Sequence, residues 1–117
     1  MSGTEPKRFH IETVPLVNLY VATDKQKRIR LSADIVEMYK LNEGNRVVLG
    51  YDATERAIAL RLAESKADPT AANIDKRGYI SASRFYSKAR LEPDSMRYVF
   101  EAEQDGWLVF IAERTIT

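Results

Sequence analysis

Cysteine is missing from this 117-residue chain, and histidine occurs once, as His10. Without cysteine there is no disulfide framework, no thiolate zinc site and no cysteine nucleophile. A Ser-His-Asp arrangement would have to rest on His10 alone, which sits near a polar start and reads as a surface residue. Neither G-x-x-x-x-G-K-[ST] nor G-x-G-x-x-G occurs, so the familiar phosphate-cradling loops are missing as well. No apolar run approaches the roughly 20 residues of a membrane span, and no signal-peptide pattern opens the chain. Glu101, Glu103 and Asp105 offer oxygens to a hard cation, but no second acidic cluster joins them and they read as a solvated face. The expectation is a cytoplasmic protein that is not an enzyme and takes no metal, nucleotide or organic cofactor.

What is present is ordinary for a globular protein: 44% apolar residues and 30% charged. The length suits one domain, or two small units that cannot fold separately. A net charge of +1 argues neither for nor against nucleic acid, but its distribution is uneven. Residues 24–30 carry Lys25, Lys27, Arg28 and Arg30 against Asp24. Residues 76–90 carry Lys76, Arg77, Arg84, Lys88 and Arg90 with no acid, whereas residues 92–117 hold six acids against Arg97 and Arg114. Polarised charge of this kind steers one face toward an anionic partner, or is simply solvated.

The chain also repeats itself. A shift of 51 places Asp24-Lys25 on Asp75-Lys76, Ile29 on Ile80, Ser32 on Ser83, Arg46 on Arg97 and Val48 on Val99. In the middle the shift becomes 50, pairing Ile35 with Phe85 and Leu41 with Leu91. Each unit reads as strand, turn, strand, short helix, strand, hairpin turn, strand. "RIRLS" alternates as a half-buried strand, and one reading turns Arg30 away from Arg28 toward Glu37. Ser32 is an N-cap, with Ile35, Met38 and Tyr39 following at helical spacing and Gly44 ending the helix. In the second unit Gly78 makes the tight turn, Ser81 or Ser83 caps, and Pro93 breaks the chain after Leu91. Tyr98, Phe100 and Ala102 share one face of the last hairpin. Phe85 reads as core and Tyr86 as the exposed aromatic. The divisions are an arm over 1–14, a first unit over 15–63, a polar linker over 64–73 and a second unit over 74–117. Neither unit buries enough apolar surface alone, so the two are expected to complete one core between them.

These features resemble the swapped-hairpin DNA-binding proteins of prokaryotes, the AbrB, SpoVT, MazE and MraZ group. The resemblance rests on Lys27-Arg28-Ile29-Arg30-Leu31-Ser32 followed by Leu41-Asn42-Glu43-Gly44-Asn45, and on Gly78-Tyr79-Ile80-Ser81-Ala82-Ser83 followed by Leu91-Glu92-Pro93-Asp94-Ser95. It spans about residues 16 to 113. Ser32 and Ser83 stand where the family has proline, and Tyr79 stands where it has arginine. The resemblance implies an α+β, mostly-β barrel of two interlaced units in one chain, as in the MraZ type. It also implies a transcriptional regulator that binds double-stranded DNA, as a monomeric pseudo-dimer or a homo-oligomer. Phosphate neutralisation by lysine and arginine gives such binding its physical basis. The candidate DNA-binding residues are Lys25, Lys27, Arg28, Arg30, Lys76, Arg77, Arg84 and Lys88. On the helices the first unit has Val36 and Glu37 where the second has Arg84 and Lys88, which implies that the two units meet DNA unequally. The alternative is a protein-binding module, an antitoxin-like protein, inhibitor or adaptor. Convergence of both units' basic residues on one face favours DNA, whereas dispersion beside an exposed apolar patch favours a protein partner.

Overall fold

Strict alternation builds the first two strands. In β1 (Tyr20–Thr23) and β2 (Arg28–Leu31), Val21, Thr23, Ile29 and Leu31 are buried while the residues between them face outward. The computed structural model describes residues 8–14, 16–41 and 44–113. The first seven residues of the expected arm, Asn42-Glu43 of the first turn and the final residues 114–117 therefore lie outside the described residues.

After β1 and β2 come α1 (Ala33–Met38), β3 (Arg46–Asp52), β4 (Ala57–Leu62), β5 (Ala71–Asn73), β6 (Tyr79–Ser81), α2 (Ser83–Ala89), β7 (Met96–Gln104) and β8 (Trp107–Ala112). The eight strands form one antiparallel sheet in the order β5-β3-β4-β8-β7-β1-β2-β6. A tight turn after Ile74, in which the Asp75 N–H donates to the Tyr79 carbonyl, brings β6 back beside β5. Among the described residues, the result is a mostly-β fold with two short helices and a nearly closed eight-strand barrel. Its interior holds Val21, Ile29, Ile35, Ile58, Leu60, Ile80 and Phe110 with no exposed surface. Burying each such side chain stabilises by about 1.5–3 kcal/mol relative to leaving it in water.

The ladders cross between the halves of the chain. β1 pairs with β7, through Tyr20↔Val99, Val21↔Tyr98 and Ala22↔Arg97. Fifty-one residues on, β5 pairs with β3 through Ala71↔Val48, Ala72↔Val47 and Asn73↔Arg46. β2 pairs with β6 and sets Ile29 opposite Ile80, two residues that are themselves 51 apart. β5 lies within the segment read as linker, whose last three residues supply the strand equivalent to β1.

Several local expectations give way to the structure. The first helix ends before Gly44: Lys40 takes the left-handed conformation (φ 56°), and Gly44 (φ 94°) serves the turn into β3. Ser32 does cap α1, accepting from the Ile35 N–H, but the equivalent cap of α2 is Ala82, which brings no side-chain bond. The 50-residue offset, not 51, governs the helices, so Ser83 falls one place inside. Met38 faces solvent. Tyr86 is 2% exposed, while Phe85 is half-buried with its ring edge-on to Tyr51, which reverses the expected order of the two aromatics. A bulge between Phe100 and Ala102 breaks the alternation of β7 and turns Ala102 outward. The last hairpin closes through Asp105 (φ 52°) and Gly106 (φ 83°), the paired positive angles that a two-residue turn needs to match strand twist.

Candidate nucleic-acid interface

Two equivalent turns position the basic residues. In the first, Asp24 Oδ1 accepts from the Gln26 and Arg28 N–H groups at 2.9 Å each, and Oδ2 pairs with Arg28 Nε at 2.8 Å. In the second, Asp75 Oδ1 accepts from the Arg77 and Tyr79 N–H groups at 2.8 and 3.0 Å, and Oδ2 pairs with Arg77 Nη2 at 3.2 Å. An aspartate suits this place because its short carboxylate reaches amides two and four residues ahead. Partial burial tends to raise the Asp24 carboxyl, but the bonds from Arg28 and Gln26 outweigh it and hold the group below the usual range. Asp75 is held low chiefly by the Tyr79 N–H, with Arg77 helping.

The turns differ in what lies behind them. The Tyr86 hydroxyl donates to the Arg28 carbonyl at 2.5 Å and accepts from the Asp24 N–H at 3.1 Å. Burial raises its pKa, so it stays a neutral donor. Behind the second turn stands Val36, 3.7 Å from where a Cβ on Gly78 would lie.

Outside the barrel, the face of β6, β2, β1 and the start of β7 carries arginine interleaved with tyrosine. Tyr79, Arg30, Ala22 and Arg97 form one row across the four strands. Arg28 lies 4.2 Å and Arg77 4.9 Å from the centre of the Tyr79 ring. Arg97 lies 4.1 Å and Arg30 5.7 Å from the Tyr20 ring, and Arg30 Nη2 also donates to the Tyr20 hydroxyl at 3.2 Å. Each such pair contributes about 0.5–1 kcal/mol at an exposed site and holds a flexible guanidinium in place. A cleft of about 360 Å³ opens among Arg30, Tyr79, Arg97 and Asp24. A second, of about 470 Å³, is lined by Arg30, Lys76, Arg77, Lys40 and Glu37.

Of the eight expected residues, Arg28, Arg30, Lys76 and Arg77 come together here. Arg30 shares Arg28's face, because residues two apart on a strand point the same way, and it meets Tyr20 in place of Glu37. Lys25 and Lys27 are exposed on the first turn, and Arg84 and Lys88 are exposed on α2. Lys88 lines a separate groove with Leu49, Tyr51 and Phe85. Tyr20 and Arg97 are additional members. In the sequence Arg97 is the repeat partner of Arg46 and one of two arginines in an acidic stretch, and neither signal places it beside Tyr20.

No family model, curated protein or solved structure matches this chain. What the site can do follows from its own geometry. Guanidinium groups held over rings keep planar N–H donors suited to phosphate and to base edges. Among the described residues no group of three or more His, Cys, Asp or Glu is arranged to hold a metal ion.

Proposed function

We propose that this protein binds double-stranded DNA as a transcriptional regulator with a swapped-hairpin fold. The observation that carries the reading is convergence: Arg28 from the first turn and Arg77 from the second approach one ring, Tyr79. Two turns from different halves of the chain thus deliver cations to one outer face, flanked by Arg30 and Arg97. The crossed ladders, in which each half's leading strand pairs on the other half's hairpin, support the fold assignment.

The test is binding to a labelled mixed-sequence duplex over a salt series, beside an Arg28→Ala/Arg77→Ala variant. Affinity should fall steeply with salt, and the variant's log–log slope should be shallower by about 0.9 for each phosphate left unneutralised. Absence of binding at low salt sinks the reading.

A protein partner is the second reading, favoured by one feature. Phe9, Ile11, Val14 and Leu16 in the leading segment are 68–93% exposed. Singly exposed apolar residues are normal, but four so close in sequence form the kind of surface a partner covers.

A further inference from the structure

We infer that one chain of this protein binds duplex DNA in a single orientation, on a site that lacks dyad symmetry; this rests on the DNA-binding reading above. The barrel ladders are related by an approximate two-fold through the Ile29↔Ile80 pair. The reciprocal bonds around it, Leu31 N–H to the Gly78 carbonyl and Ala82 N–H to the Lys27 carbonyl, obey the same operation. The side chains do not.

One end of the molecule joins the first turn to α2, through the Ala82–Lys27 bond and the Tyr86 hydroxyl. It presents Lys25, Lys27, Arg28, Arg84, Lys88 and Arg90 against Asp24 alone, a balance of +5. The other end joins the second turn to α1, through the Leu31–Gly78 bond and the cleft that Lys76 and Arg77 share with Val36 and Glu37. There the equivalent positions present Lys76, Arg77, Lys40 and Arg30 against Asp75, Asp34 and Glu37, a balance of +1. Arg30 has Ser81 as its equivalent at the first end.

A palindromic site offers two equal half-sites and rewards a protein whose halves are equal. Here the ends neutralise unequal numbers of phosphates, and affinity follows the number neutralised. Base readout is unequal too, since the two turns carry their arginines at different places: Arg28 has Tyr79 as its counterpart and Arg77 has Gln26. A second half-site therefore gains little, and reversing the duplex under the protein changes the energy.

The experiment is selection from a random-sequence duplex pool with the full chain, followed by stoichiometry and a salt series on the enriched duplex. The expected result is a motif without dyad symmetry, bound by one chain. A variant Glu37→Ser/Met38→Lys writes Ser87 and Lys88 of α2 into the exposed equivalents on α1. Its salt slope should be steeper by about 0.9, the value of one further phosphate neutralised, and its motif should extend toward the second half. A palindromic motif, or retention of duplex with no motif, overturns the inference while leaving DNA binding in place. Retention of no duplex at low salt removes the DNA reading and this inference together.

Discussion

Arg46 and Arg97 hold the same place in the two halves and do different things. Arg46 is consumed by the chain around it. Its Nε donates to Asn73 Oδ1 at 3.1 Å, Nη1 to the Lys66 and Asp68 carbonyls at 2.7 and 3.0 Å, and Nη2 to the Ala71 carbonyl at 2.7 Å. It thereby fastens the segment between the halves onto β3. Arg97 meets a tyrosine ring instead, because Tyr20 occupies the position that Ala71 occupies in the other half. Backbone equivalence therefore does not carry function across the repeat. One half spends its arginine on tying the chain down, and the other leaves it on the surface beside three more.

The largest effect tests whether the halves are equal where they should be. Ile29→Ala and Ile80→Ala each empty part of the same pair at the centre of β2 and β6, and both residues are fully buried. Each should cost about 2–5 kcal/mol in denaturant unfolding, with the two values close together. A wide gap between them would mean that the core, too, is unequal.

The next effect separates the two arginines. Arg46→Ala removes four hydrogen bonds from a charged donor, most of them to backbone carbonyls. It should lower stability by about 1–3 kcal/mol and leave the salt dependence of duplex binding unchanged. Arg97→Ala should do the reverse, moving stability by less than about 0.5 kcal/mol while making the binding slope shallower by about 0.9. If both variants lower only stability, the exposed arginine face has no role in binding.

A smaller effect concerns the helix starts. Ser32→Ala should cost about 1 kcal/mol, since Ser32 Oγ caps α1 and also donates to the Asn18 carbonyl at 2.7 Å. Ala82→Ser, the same substitution reversed in the other half, should gain at most about 1 kcal/mol. No gain would show that the α2 start is held by Tyr86 and the Lys27 carbonyl without need of a cap.

How much of this was legible depends on which interaction writes the pattern. Strand alternation is a local signal, so β2 with its buried Ile29 and Leu31, and β4 with Ile58 and Leu60, can be read directly, whereas β3 buries the adjacent Val47 and Val48. The offset that pairs the repeats predicts the crossed ladders only in outline. Closure of the barrel depends on β5, whose Ala-Ala-Asn composition gives no strand signal and which exists because β3 offers it an edge. Tyr86 misleads for a related reason. It stands among Arg84, Ser87 and Lys88, but its hydroxyl has two backbone partners 58 and 62 residues away. The candidate site was half legible. Arg28, Arg30, Lys76 and Arg77 stand in the two basic stretches around 24–30 and 76–90, whereas Arg97 and Tyr20 join only through the β1–β7 pairing. Arg84 and Lys88 come from helical sequence that does not say which face α2 presents.

The smallest effect comes from acid and compares the two turns directly. Both carboxyls are held below their ordinary value, about 3.9 in an unfolded chain. A group lowered on folding adds stability that is fully present above the unfolded value and is lost as pH falls through the folded one. Each turn should therefore be intact at about pH 5 and above and loosen below about pH 4, as the aspartate loses its charge and its grip on two amides. The turns should loosen together. The Tyr86 hydroxyl bridges the Asp24 N–H and the Arg28 carbonyl, and in the second turn the equivalent Asp75 N–H donates directly to the Tyr79 carbonyl at 3.0 Å. Neither link titrates in acid. Following the Arg28 and Tyr79 amide signals by NMR on acidification should show both losing protection over the same pH range. If the Tyr79 amide opens first, the bridging tyrosine stiffens the first turn more than a direct backbone bond stiffens the second.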